Sequence, residues 1–272
     1  MSYAAKVLRI LLLITLVLVF VFPFVWMLST SLKTYLESIK FPPDILPKVP
    51  QFVNYYKTYV RIHFLHYAMN SVIVTFSIVL GQLLVCIPAA YAFAKKKFRF
   101  AGLFFAIILI DLVLPAQVTF VPIYVLVSDF GWLDTYWAMI IPFIYSSFAI
   151  FFMTQAFKQI PDELLDAARM DKATELQIIV QLMLPIAKPF VLTAMLFTCI
   201  SKWNDYFWPL ILTNSESVRT LPMTVKGMIS DTPGLTHWNE LMAGNMMLII
   251  PILVLYIAAN RFIKNAFVYG IK

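Results

Sequence analysis

Polar residues are too sparse along most of this chain to mark a two-residue or a 3.6-residue alternation; what repeats is the unbroken apolar run. A bilayer core needs about 20 consecutive apolar residues of helix. Six segments reach that length, at 9–32, 68–94, 101–127, 135–157, 189–212 and 241–261. The first follows Lys6 and Arg9 as a secretory leader would, but its apolar stretch continues through Trp26 without a small-residue cleavage pattern. It reads as a retained span. Between the runs the texture changes. Segments 33–67 and 213–240 are polar, punctuated by Pro42, Pro43, Pro47 and Pro50 in one and by Pro222, Pro233 and Gly234 in the other. Each is too short for a separate domain and long enough for short helices set against a partner. Residues 128–134 are expected to form a tight turn. The prediction is an all-α polytopic membrane protein, a single domain over 1–272 with six transmembrane helices.

Composition agrees with the pattern and removes other classes. The 272 residues are 61% hydrophobic and only 13% charged, with a mean hydropathy of +0.84; a soluble domain carries about 25% charged residues. The formal charge of +7 and pI near 9.3 invite a nucleic-acid reading, which the scatter of the bases defeats. Their placement is a topology signal instead. With both termini cytoplasmic, thirteen of the 21 bases fall inside, including Lys95, Lys96, Lys97, Arg99, Lys158, Arg169, Lys172 and Lys188. Five acids accompany them, a net +8, while the outer side balances seven bases with seven acids.

Several absences narrow the chemistry. The seven glycines form neither a GxGxxG nor a GxxxxGK[ST] pattern, so no phosphate cradle is expected and no ATP site on this chain. His63, His66 and His237 lie in the outer segments without metal-ligand spacing. Cys86 and Cys199 sit inside apolar runs and read as small buried hydrophobes. No nucleophile has a His partner, and catalysis by this chain is not expected.

The informative polar stretch is 158–188, KQIPDELLDAARMDKATELQIIVQLMLPIAK. Pro161 followed by Asp162 and Glu163 starts a helix, because Pro suits the first turn and acids favour the positive end of the helix dipole. That helix is expected to end near Met170. Asp171, Lys172 and Ala173 form the break, and Thr174 with Gln177 fits the capping box of a second helix running toward Pro185. Leu164, Leu165, Ala167, Ala168 and Met170 are its small or apolar knobs. On periodicity alone, an amphipathic hairpin lying on the membrane explains the stretch equally well.

The order of residues separates the two. Asp166-Ala167-Ala168, three residues, Lys172, nine residues, then Leu182-Met183-Leu184-Pro185 resembles the EAA motif of ABC importer permeases, E-A-A-x3-G-x9-I-x-L-P. Asp replaces Glu, Leu replaces Ile, and Lys172 stands in the Gly position. If that turn needs positive φ, a non-Gly residue there costs about 1 kcal/mol; otherwise the turn itself differs. Asn70-Ser71, Ala89 to Ala94, Leu114-Pro115-Ala116-Gln117, Thr135-Tyr136-Trp137, Trp203-Asn204-Asp205-Tyr206 and Trp208-Pro209-Leu210 extend the resemblance over about residues 12–270. They are similar to the carbohydrate-importer branch, of the maltose-permease type.

The resemblance implies a permease subunit of the cell membrane, working as a probable heterodimer with a second permease on two ATPase subunits. An extracytoplasmic binding protein would deliver a sugar. ATP and Mg would be bound by the ATPase and no cofactor by this chain. The loop 158–188, between the fourth and fifth spans, would hold the coupling helix, with Glu163, Asp166, Ala167, Ala168, Asp171 and Lys172 as the ATPase-coupling set. Small alanines permit close approach of the partner, and the Asp166 carboxylate can accept its hydrogen bonds.

Polar residues in spans are costly and mark paths or helix contacts. Asn70, Gln82, Asp111, Gln117, Asn204 and Asp205 are the candidates for the translocation path. For Asp111 a cavity role and a helix-bonding role are open alternatives, and Lys202–Asp205 also fits a local pair. Trp26, Trp132, Trp137, Trp203 and Trp208 suit interface belts better than sugar stacking. Three rivals remain: a glycerol-3-phosphate or phosphodiester permease, which would favour cations along the path; an ion-coupled secondary transporter, for which no internal repeat is visible; and a channel, for which no filter-like segment exists.

Overall fold

A computed structural model describes the backbone of residues 3–230, 232 and 234–269, and their side chains apart from 3–5, 116, 117 and 261–269. Every regular element among them is helical: α1 (Tyr3–Ser31), α2 (Tyr35–Ile39), α3 (Val53–Arg61), α4 (Phe64–Lys95), α5 (Ala101–Val113), α6 (Ala116–Asp129), α7 (Tyr136–Ile140), α8 (Ser147–Lys158), α9 (Asp162–Met170), α10 (Glu175–Gln177), α11 (Leu184–Trp203), α12 (Phe207–Leu212), α13 (Leu221–Lys226) and α14 (Trp238–Tyr269). A 3-10 turn at Ile141–Phe143 follows α7, and a π-helical turn at Ile178–Met183 joins α10 to α11. Five stretches are long and apolar enough to cross a membrane: Lys6–Ser31, Phe64–Lys95, Tyr136–Lys158, Glu175–Trp203 and Trp238–Asn260. Helices α5 and α6 together supply a sixth. The chain is an all-α polytopic membrane protein.

Three spans differ from their predicted form. The third is not one rod: α5 and α6 meet at 106°. Pro115 lacks an N–H and crowds the residue before it, so Leu114 is extended (φ −69°, ψ 126°) and the helix stops there. The fifth was expected over 189–212. It starts instead at Glu175 and ends at Trp203, with 207–212 a separate short helix. Pro185 follows the wide π turn at once, where the bond its ring removes is already interrupted, so it does not end the helix. The last helix begins at Trp238, three residues before the predicted start, and runs on to Tyr269.

The chain divides into two compact units, Met1–Tyr67 with Leu221–Pro251, and Ala68–Thr220 with Ile252–Lys272. In the first, short helices are laced to long ones by buried polar groups. The Asn54 amide donates to the carbonyls of Ser31 and Lys33, both at 2.8 Å, and accepts from Asn239 at 3.1 Å. Thr58 donates to the Glu240 carbonyl, and Arg61 pairs with the Glu240 carboxylate at 2.8 Å. Lys33 is buried; its ammonium donates to the Asp44 carbonyl and lies 4.6 Å over the Trp26 ring. Segment 33–67 thus forms the short helices expected of it. By contrast, the apolar window of α1 is 0% buried within the chain, as a helix facing lipid or a partner must be.

The second unit holds the main core. Cys86, Ala90 and Tyr91 of α4, Ala149, Met153 and Phe157 of α8, Leu165 of α9, Ile178 and Met183 of the π turn, and Ala187 and Ala194 of α11 are buried together. Ala90, Ala149 and Ala194 are fully enclosed; small side chains let helix backbones approach closely where lipid supplies no hydrophobic drive.

Candidate functional site

Helix α9 forms where its end signals place it. Pro161 is extended (ψ 141°), Asp162 and Glu163 occupy the first turn and Arg169 the last, matching the helix dipole at both ends. Leu165 is the residue that turns inward, 1% exposed in the core, with Ala168 packed beside it. Of the predicted knobs Leu165 is thus taken up by the core, while Ala168 is half-buried. Glu163, Asp166, Ala167 and Met170 are exposed, and their spacing of three, four and seven residues puts them on one face. Met170 is 84% exposed, and among the described residues Asp166 pairs with its neighbour Arg169, at 3.1 Å. Asp171 and Lys172 are exposed just beyond.

The turn after α9 answers the question posed by Lys172. Its φ is +61°. The Ala173 N–H donates to the Ala168 carbonyl at 3.0 Å and the Lys172 N–H to the Arg169 carbonyl at 2.9 Å. These are the two bonds of a Schellman C-cap, whose left-handed residue is usually Gly. The turn is the one the motif's Gly would make, and Lys172 bears the strain. Thr174 then caps α10 with the full capping box, its hydroxyl accepting from the Gln177 N–H while the Gln177 side chain accepts from the Thr174 N–H.

Side chains at the end of α4 meet the start of α9 and the start of the helix that follows it. The Lys95 ammonium donates to the Ile160 carbonyl and to Asp162 at 2.7 Å; that hydrogen bond holds the Asp162 carboxyl below its usual range. Beyond the other end, Glu175 accepts from the Tyr91 hydroxyl and from Lys96, each at 2.5 Å, with Arg169 of α9 at 3.8 Å. Sequence reasoning counted Lys95, Lys96 and Glu175 only as charge and missed Tyr91. The spacing of Tyr91, Lys95 and Lys96, on one turn before a basic run, is the signal that was there to be used.

The path candidates are spread out, and each polar group with a described side chain already has a partner. Asn70 is buried; its amide donates to the Ser217 and Arg219 carbonyls at 2.9 and 2.8 Å and accepts from the Tyr136 hydroxyl. Gln82 is buried, donating to the Phe143 carbonyl of the 3-10 turn and accepting from the Thr198 hydroxyl of α11 at 2.7 Å. Asp111 accepts from the Ser147 hydroxyl, joining α5 to α8. Asn204 is exposed and bonds back to the Ile200 carbonyl. Asp205 pairs with Lys202 at 3.2 Å and caps the Trp208 N–H. The side chain of Gln117 lies outside the described residues.

Asp205 and Lys202 line a narrow crevice with Ser71, Phe143, Trp208 and Thr220, and the Lys202 ammonium stands 3.9 Å from the Phe143 ring centre. Trp203 and Trp208 are buried within the chain, the Trp208 ring tilted against Phe143 with centroids 5.0 Å apart, whereas Trp137 is exposed. Among the described residues no group of His, Cys, Asp and Glu is arranged to hold a metal.

The chain is thus a helical membrane protein with an exposed acidic and alanine-bearing face on one short loop helix. The chain belongs to the family of binding-protein-dependent transport system inner membrane components, whose sequence profile matches residues 82–269. It is a multi-pass ABC transporter permease of the inner membrane. The ion-coupled transporter and channel readings end there. Over 203 residues the chain is 34% identical to the sn-glycerol-3-phosphate transport system permease protein UgpE of Salmonella choleraesuis (strain SC-B67), covering 75% of this chain and 71% of that protein. The corresponding Yersinia pestis bv. Antiqua (strain Antiqua) protein is 32% identical over 200 residues, 74% and 71% of the two chains. Among solved structures, a bacterial ABC transporter involved in the import of the acidic polysaccharide alginate matches with a TM-score of 0.85 at 26% identity, over 96% of this chain and 98% of that one. The MetNI methionine ABC transporter, inward facing, matches with a TM-score of 0.56 at 19% identity over 75% and 95%, a likeness of fold.

Proposed function

We propose that this chain is one of two permease subunits of an importer that carries a sugar or oligosaccharide, with α9 as the helix through which two ATPase subunits drive it. The termini and α9 lie on the cytoplasmic side, as the basic residues require. An extracytoplasmic binding protein presents the solute on the other. ATP and Mg belong to the ATPase. The observation that carries the proposal is the face formed by Glu163, Asp166, Ala167 and Met170, left exposed on a helix otherwise anchored in the core. Carboxylates there accept charge-assisted bonds from a cationic cleft, Ala167 admits close backbone approach, and Met170 is an adaptable apolar contact.

For the solute, the state of Lys202 supports a neutral sugar. A phosphate would be received by an uncommitted cation, but Lys202 is paired with Asp205 and stacked on Phe143. A neutral sugar suits that arrangement. Glycerol-3-phosphate is the second reading, favoured by what the 34% identical relatives are named for. Binding of a panel of sugars and of glycerol-3-phosphate to the cognate extracytoplasmic protein decides between them. Coupling is tested with Asp166→Lys: ATP hydrolysis by the assembled complex becomes independent of uptake. Unchanged uptake at normal expression refutes the docking role.

A further inference from the structure

Glu175 lies outside the docking face, yet three polar groups, from α4, from the residue just past its end and from α9, meet on or beside its carboxylate. One oxygen accepts the Tyr91 hydroxyl at 2.5 Å; the other accepts Lys96 at 2.5 Å and faces Arg169 at 3.8 Å. Tyr91 is 3% exposed, so its hydroxyl is desolvated and has the carboxylate as partner. Lys96 is 39% and Glu175 48% exposed at the side chain, so the two ion pairs are screened by water and count for less. The strong leg is therefore the tyrosine bond, a charge-assisted one whose donor is buried. Glu175 is also the first residue of the span that runs to Trp203. Its carboxylate thus joins the last turn of α4, the end of α9 and the base of a transmembrane rod.

Lys95 makes the matching tie at the start of α9, to Ile160 and Asp162, and Leu165 is the apolar contact between them. With both ends fastened, α9 moves only as the spans move. We infer that Glu175, held by Tyr91, is the positioning residue that makes displacement of α9 a displacement of the spans, so that its loss leaves α9 able to rock without moving the path. This rests on α9 being the helix that docks on the ATPase.

The test uses the assembled transporter in proteoliposomes and reads solute moved per ATP hydrolysed. Glu175→Ala removes all three legs and lowers that ratio by about tenfold, the scale of one hydrogen bond to a charged group. Glu175→Gln keeps an acceptor for Tyr91 and loses only the screened pairs, so its ratio falls by about two- to threefold. Tyr91 also bonds Arg169, so adding Tyr91→Phe to Glu175→Ala lowers the ratio by less than Tyr91→Phe does alone, because the two share one bond. Hydrogen exchange over 162–170 quickens in Glu175→Ala. An unchanged ratio in Glu175→Ala overturns the inference. So does an equal loss in Glu175→Gln and Glu175→Ala accompanied by equal loss of folded complex, which marks a plain stability effect. If Asp166→Lys also leaves transport intact, the docking reading itself has failed; if only the Glu175 variants are silent, this inference alone has.

Discussion

Lys172 sits at φ +61° in the Schellman turn that ends α9, and replacing it separates backbone strain from side-chain contact. An L-residue in the left-handed region costs about 1–2 kcal/mol relative to glycine. Glycine in turn gives up about 0.5–1 kcal/mol more backbone entropy on folding. Lys172→Gly therefore stabilises by the difference, roughly 0.5–1 kcal/mol from those two terms. A β-branched residue is worse than lysine in this region, so Lys172→Val costs about 1 kcal/mol more. In a chain of 272 residues, 1 kcal/mol moves the midpoint of unfolding by about 2–4 °C. Thermal unfolding of the detergent-solubilised protein at one scan rate should give the order glycine above lysine above valine. Because membrane proteins often unfold irreversibly, the rates of inactivation at a fixed temperature should follow the same order. Valine as stable as lysine, or glycine less stable than lysine, refutes the strain account and means that the Lys172 side chain makes a contact worth more than the backbone penalty.

Two further outcomes follow from other polar anchors. Asn70→Leu leaves the Ser217 and Arg219 carbonyls without their donor, a loss of about 1–3 kcal/mol; hydrogen exchange over 213–220 should rise, and unchanged protection there contradicts the anchoring role. Asp134 accepts the N–H groups of Ser215 and Asn214 at 2.7 and 2.8 Å, and these bonds hold its carboxyl below the usual value of 3.8. A folded-state value that is depressed contributes stability above the unfolded value, lost as the pH falls through the folded one. Wild type should thus lose more of its unfolding midpoint below pH 3.8 than Asp134→Asn does, and parallel pH profiles would contradict this.

Which parts were readable from the sequence follows the range of the forces involved. The bounds of α9 at Asp162 and Met170 and the Thr174–Gln177 capping box were legible, because both depend on residues within one turn. The exposed face was legible in part. Leu165 and Ala168 looked equal to Ala167 and Met170 as knobs, and only packing against α4 and the π turn decides which turn inward. The start of the fifth span was misplaced because Pro185 and Pro189 look like a boundary, and a π-helical turn leaves no local signature. Pro115 and Pro122 both fall within the predicted third span with nothing local to tell them apart; one breaks the helix and the other rides inside α6. Tyr91 and Glu175 are 84 positions apart, and no pattern within either segment announces the other. Path polarity was visible as residue types, but that Asn70, Gln82 and Asp111 serve helix and loop contacts emerges only from their partners.

The helical span from Glu175 to Trp203, its π-helical turn included, has 29 residues, which at about 1.5 Å per residue makes a rod roughly 43 Å long. Its two ends carry the chain's two contrasting carboxylates, Glu175 tied to α4 at one and Asp205 beside Lys202 just past the other. A stiff rod converts angle into distance: a tilt of about 5° about one end carries the other through roughly 4 Å, more than a hydrogen-bond length. The Lys202–Asp205 crevice is thus placed at the point of greatest travel for the smallest turn at the base. A gate built there needs no relay of side-chain rearrangements between the two faces of the bilayer.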